Sequence, residues 1–234
     1  MSGEAAKQPG GCRGGAPRRA ILPRILGAAE VTFARLGLKG ARIEDIAQCS
    51  AVPKATILYH FGTKEALYEA TLQRLLDIWL DDADRWLSAA QEPLAGIEGY
   101  IRAKIAFSRA RPEGSRLFAQ ELLSGGERIG TFLQSELRAH VSRHAAIFEA
   151  WQEQGIMKPV PARHLLFLLW SGTQAYADMQ VQFEAVLERA ALTDRDYEDA
   201  IETLMTLVRP LFPDPVSQAR CDRMGGEMRG GKTL

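Results

Sequence analysis

The chain of 234 residues is poor in cysteine, in long apolar runs and in any surplus of charge. Its three cysteines, Cys12, Cys49 and Cys221, are scattered and form no CxxC pair. Such usage argues for a reducing cytoplasm and against a disulfide framework or a zinc site. The longest apolar stretch is the six residues Leu165 to Trp170, far below the roughly 20 that a membrane-spanning helix needs. The residues before Arg18 include basic, Gly and Pro side chains but no apolar stretch of signal-peptide length, so export is not expected. Also missing are HExxH, a nucleophile elbow and a Gly-rich phosphate loop, which makes catalysis a poor explanation. No alternating strand pattern bounded by turn residues occurs, and the expected class is all-α.

The lack of net charge is deceptive. Lys+Arg and Asp+Glu number 29 each, a balance that would disfavour nucleic acid if the charges were spread evenly. Residues 1–64 hold ten basic and four acidic side chains, a surplus of six positive charges, and the remainder carries the matching deficit. A basic quarter joined to an acidic body points to a localised anionic partner.

With 46% hydrophobic residues the chain can bury a core. Residues 1–17, rich in Gly and Pro, read as a disordered basic arm, and residues 213–234 as a loose tail. From Arg18 a helical period begins: Ile21, Leu22, Ile25, Leu26, Ala29, Phe33 and Leu36 mark one face, and Gly37 and Gly40 supply stop signals. Two short helices follow, over 43–50 and 54–61, parted by Ala51-Val52-Pro53. Helices this short are marginal alone and must pack on their neighbours, as they do in a helix-turn-helix that offers its second helix to the major groove. Thr63 is placed to cap a longer helix carrying Leu67, Leu72, Leu75, Leu76 and Trp79. Further helices are expected over about 94–110, 114–124, 129–154, 162–189 and 194–211, parted mostly by Gly and Pro. The expected organisation is a DNA-binding domain over 18–79 and a helical ligand-binding and dimerisation domain over 80–212.

The second short helix carries Lys54, Thr56, Tyr59 and His60, with Lys64 just beyond and Arg42 at the start of the first. Long cations serve phosphate oxygens, while hydroxyl, ring and imidazole groups reach phosphates or base edges. A solvated charged face with half-buried aromatics is the plain alternative, and it is preferred for Phe61.

The stretch Phe33–Leu67, F-x-x-x-G-x-x-G-x-R-I-E-D-I-A-x-x-x-x-V-x-K-x-T-I-L-Y-H-F-x-T-K-E-A-L, resembles the N-terminal domain of the TetR family of transcriptional regulators. The resemblance implies that Arg42, Lys54, Ala55, Thr56, Tyr59, His60 and Lys64 contact double-stranded DNA, a palindromic operator read by a homodimer. Three positions depart from the family pattern: Ala41 for a capping Thr, Pro53 for a Ser and Leu58 for a phosphate-touching Tyr. Loss of the capping Thr weakens the first short helix by about 1 kcal/mol.

In the remainder, Trp170 and Gln174 are four apart and share a helix face with Thr173 and Ala177. An indole plate beside an amide suits a flat polar heterocycle, and Trp79 offers a second plate. Core or dimer-interface packing explains these residues equally well. Four segments resemble pyrimidine-responsive members of the same family: Leu75–Leu80; Pro93-Leu94-Ala95 with Tyr100-Ile101-Arg102; Ser115–Phe118 with Glu121; and Trp170–Asp178. That resemblance implies effector contacts at Trp79, Trp170 and Gln174, with Tyr176 and Glu121 as further candidates, and a pyrimidine such as uracil as the effector that releases DNA. Another nucleobase, an unrelated hydrophobic compound, or a helical ligand-binding module without DNA binding are the alternatives. His140 and His144 share i, i+4 spacing, but no Cys or carboxylate stands near them at ligand spacing. They are expected at the surface or a pocket rim, with no metal and no cofactor. The expected dimer seam is formed by Leu165, Leu166, Leu169, Met179, Phe183, Val186 and Leu187 of 162–189, and by Tyr197, Ile201, Leu204, Met205 and Val208 of 194–211; some of these residues could line the core instead.

Overall fold

The structure is a computed structural model and describes residues 21–213. The expected N-terminal arm and nearly all of the expected tail lie outside the described residues. Among the described residues every regular element is helical, and two compact units divide between Tyr68 and Glu69.

The first unit contains α1 (Ile21–Gly40), α2 (Ile43–Ser50), α3 (Lys54–Phe61) and the first turn of α4 (Lys64–Trp86). The apolar period of α1 buries Ile25, Ala29 and Phe33 completely, and Ile46 of α2, Ile57 of α3 and Leu67 of α4 are likewise fully buried. Phe33 and Tyr68 pack edge to face with ring centroids 5.0 Å apart. Gly37 does not end α1; it kinks the helix by adopting φ 66°. The α2–α3 turn is held from outside itself. Ala51 takes a left-handed φ of 50° and its N–H closes on Ala47 and Gln48, while the Arg24 guanidinium donates to the Ser50 carbonyl at 2.7 Å. A cation at the end of α2 satisfies a carbonyl that the helix leaves open. No side chain caps α2 at Arg42, as the alanine at 41 implies. Thr63 caps α4, its hydroxyl accepting from the Ala66 N–H at 3.0 Å.

The second unit contains the rest of α4, α5 (Pro93–Ala110), α6 (Pro112–Leu123), α7 (Gly130–Phe132), a π-helical turn (Leu133–Leu137), α8 (Arg138–Glu153), α9 (Ala162–Asp178), α10 (Gln180–Val186) and α11 (Asp194–Val208). The expected domain boundary after Trp79 falls inside α4. α9 is the central helix: α5, α6, α8, α10 and α11 all pack against it. Glu92 caps α5 by accepting from the Leu94 and Ala95 N–H groups. Gly99 admits the Trp86 indole so closely that a Cβ would lie 2.1 Å from a ring carbon. The expected helix 129–154 is interrupted by the π turn, and the expected helix 162–189 breaks at Met179 (φ −112°, ψ 21°).

Much of the expected dimer seam is core instead. Leu165, Leu166, Leu169, Tyr197, Ile201, Met205 and Val208 are buried in the main cluster of this unit. Their period matched a core-facing stripe as well as an interface. The large apolar side chains left exposed on the same helices are Phe167, Leu168, Met179, Val181, Val186, Leu187 and Leu207.

Candidate functional site

Two sites emerge, one in each unit. In the first, the surface of α2 and α3 is built by burying one face and leaving the other to solvent. Ile57 is the anchor of α3, with no exposed surface, and opposite it Lys54, Ala55, Tyr59 and His60 are exposed and Thr56 half-buried. Tyr59 is 80% exposed, an unusual position for a large ring; among the described residues its ring neighbour is the adjacent His60, with centroids 5.3 Å apart. Arg42 is exposed at the head of α2. Lys54 pairs with Glu44 across the two helices, and the Lys54 ammonium holds the Glu44 carboxyl below its ordinary value. Lys64 is committed inward, donating to the Ala41 carbonyl at 3.0 Å. The surface therefore combines the exposed Arg42, the Glu44-paired Lys54 and two hydroxyls with one brace, Lys64, that fixes the start of α4 against the α1–α2 connection.

In the second unit, Trp79, Trp170 and Gln174 line one cavity of about 180 Å³. Cavities of about 150 Å³ hold a benzene ring, so this volume suits a single six-membered ring. Leu76, Leu80, Leu133, Leu137, Val141 and Leu166 supply most of the wall, the π turn contributing Leu133 and Leu137. Trp79 is buried, with Phe107 and Phe118 edge-on at 5.2 and 4.9 Å, and its Nε1–H has no hydrogen-bond partner. The Trp170 Nε1–H is already used, donating to the Tyr100 hydroxyl at 2.7 Å. Tyr176 and Glu121 are not brought to this cavity. Tyr176 packs on Phe183 and Tyr197, and the buried Glu121 carboxylate accepts from the Arg128 N–H at 3.1 Å.

Sequence reasoning missed the most consequential wall residue. Lys104 is 3% exposed, its ammonium 4.4 Å from the centre of the Trp79 ring. Burial pushes its pKa down to about 7, against the pull of Asp82 and Asp178. A signal existed: Lys104 sits at the core-facing step of the series Ile97, Tyr100, Ile101, Ile105 and Ser108 on α5, all of them buried. Tyr100 was quoted only for its resemblance, although its hydroxyl orients Trp170. His140 and His144 are not surface residues. Both are buried in the cavity wall, and burial, reinforced by the neighbouring His144, lowers His140 to about pKa 4.

The comparisons with known proteins bear on both sites. Residues 25–71 match the family model described as bacterial regulatory proteins of the tetR family, and residues 72–212 match the C-terminal region of YcdC-like protein. The HTH-type transcriptional regulator RutR of Escherichia coli K12 is 38% identical over 187 residues, covering 79% of this chain and 86% of RutR. The fold matches the regulator SCO4942 of Streptomyces coelicolor with TM-score 0.64 at 24% identity, over 83% of this chain and 99% of that one. It also matches AibR, solved with isovaleryl coenzyme A and operator DNA, with TM-score 0.62 at 17% identity, over 82% and 99%. The exposed second helix of a helix-turn-helix, the two matched regions and the RutR identity agree: the chain belongs to the TetR family of DNA-binding transcriptional regulators.

Proposed function

We propose that the protein is a homodimeric repressor whose effector is a pyrimidine such as uracil, and that effector binding releases operator DNA. One observation carries the effector reading: Trp79, whose buried Nε1–H has no partner, lines a one-ring cavity. A buried donor without an acceptor costs about 1–3 kcal/mol, and a ligand carbonyl recovers it. Lys104 offers a second donor, and the Gln174 amide offers both a donor and an acceptor. Such a wall suits a ring with carbonyl oxygens and a ring N–H, flanked by indoles. A purely apolar compound would leave the Trp79 Nε1–H unsatisfied. The 38% identity to RutR supports the same choice.

DNA contact is assigned to Arg42, Lys54, Ala55, Thr56, Tyr59 and His60, with Lys64 positioning the unit. Paired α3 helices of a dimer would occupy successive major grooves. Trp79 lies on α4, the helix that Thr63 starts immediately after the reader. For release, the effector must bind the DNA-incompetent state more tightly than the competent one.

The test is calorimetry of the full chain with uracil, thymine and dihydrouracil. Saturable heat with at least one of them, weakened by Gln174→Ala, is expected. No heat with any of the three sinks the pyrimidine assignment, and apolar compounds binding equally to wild type and Gln174→Ala would favour a hydrophobic effector.

A further inference from the structure

His140, His144 and Asp84 come together although α4 and α8 lie far apart in the chain. The His144 Nε2 is 3.0 Å from the His140 Nε2 and 3.1 Å from Asp84 Oδ1, and one ligand atom from each residue lies within 4.8 Å of the others. Tetrahedral zinc with bonds of about 2.0–2.1 Å sets neighbouring ligand atoms about 3.3 Å apart. The two distances at His144 Nε2 are those of coordination edges, slightly closed, while the third side is wider, His140 Nδ1 lying 3.6 Å from Asp84 Oδ1.

The hydrogen bonds sharpen the case. His144 Nδ1 lies 3.0 Å from the Leu87 carbonyl, which can only accept, so Nδ1 carries a proton and the neutral ring has its lone pair on Nε2. The His140 Nε2 must then donate to it, leaving His140 Nδ1 to accept from Arg143 at 3.1 Å. This chain is self-consistent but sets Asp84 Oδ1 against the bare His144 Nε2, two acceptors at hydrogen-bond distance. A proton placed on His144 Nε2 instead satisfies Asp84, but His140 is then left with either a second N–H aimed at His144 or an N–H aimed at Arg143. With Asp84 ionised, no placement of protons on the two imidazoles satisfies every contact. A cation at the centre does, because all three atoms become ligands and Leu87 fixes the His144 ring as metal-bound imidazoles require.

We propose that Asp84, His140 and His144 bind a borderline divalent transition-metal ion of the zinc class, with an open coordination position toward the cavity. Two imidazoles and one carboxylate favour such an ion over calcium or magnesium. Both histidines line the cavity, so the open position faces the space where an effector would sit. Arg143 yields its place to the ion; its side chain is 60% exposed and can swing into solvent. The site stands on this geometry and not on the effector being a pyrimidine.

The experiment uses untagged full-length protein stripped with chelator and titrated with Co²⁺, followed by visible absorption. Wild type should bind one Co²⁺ per chain, giving the bands of a four-coordinate site, and Zn²⁺ should displace it and abolish them. Binding should weaken about tenfold or more in Asp84→Asn and about a hundredfold in His144→Gln. Asp84 is 53% exposed, so that variant keeps the fold, which circular dichroism checks. The variant His164→Gln should bind Co²⁺ as wild type does. Absence of saturable Co²⁺ absorption overturns the proposal, as does binding unchanged by Asp84→Asn and His144→Gln.

Discussion

Lys104 shows most clearly how a single residue sets conditions on function. Its folded pKa of about 7 lies below the 10.5 of a free lysine. Between these values the unfolded chain holds a proton that the folded chain has released, so stability rises with pH across that window. Below pH 7 both states are charged and the cost of burying the ammonium persists in full. The ligand-free protein should therefore melt at higher temperature at pH 9 than at pH 7, and Lys104→Met should remove much of that difference while raising Tm at pH 7. Thermal denaturation of both proteins across the pH range checks it. Trp79→Phe keeps the ring packing but deletes the orphan donor. It should cost effector affinity about 1 kcal/mol, roughly fivefold, without lowering Tm, in contrast to the loss expected of any residue that only packs. Trp79, Trp170 and Gln174 were singled out in the sequence by the family resemblance, since ring and amide chemistry alone left cavity and core packing equally open. Lys104 was not, because a lysine on a helix is ordinarily a solvated charge, and only its phase on α5 betrays its burial.

At the scale of elements, the reader is defined by turns more than by helices. α2 and α3 were readable to their last residues because Pro53, Gly62 and Thr63 punctuate them and the apolar steps are unambiguous. Thr63→Ala removes the α4 cap and should lower stability by about 1 kcal/mol, seen in denaturant melts. Tyr59→Ala removes an exposed ring and should leave stability unchanged while weakening operator binding at least severalfold in fluorescence anisotropy. A Tyr59→Ala protein that loses stability but not DNA binding would make Tyr59 a packing residue. The longer helices were less legible. The π turn at Leu133–Leu137 carries no Gly or Pro of its own, and the break at Met179 has neither beside it. In both places tertiary packing overrides local preference, and in the first the result is two leucines in the cavity wall.

At the scale of the whole molecule, the neutral charge divides into a basic quarter that reads DNA and an acidic body that phosphate repels. The all-α class followed from helical periods without a strand pattern, the anionic partner from this asymmetry, and the family from the motif over Phe33–Leu67. The dimer surface did not, since buried and interfacial apolar stripes share one period, and only burial separates Leu165 and Leu169 from Leu168, which is 68% exposed. If Leu168 and Val186, 75% exposed, lie in a dimer interface, the double change Leu168→Glu/Val186→Glu should halve the mass seen by sedimentation while leaving the helical spectrum intact. The central claim is that a pyrimidine in the Trp79–Gln174 cavity controls DNA binding, and anisotropy of labelled DNA from upstream of the gene tests it most directly. Added uracil should release DNA from the wild type, and Gln174→Ala should need at least about tenfold more uracil for the same release. Wild-type complexes that stay bound at saturating uracil, or release that is equal in Gln174→Ala, would contradict it.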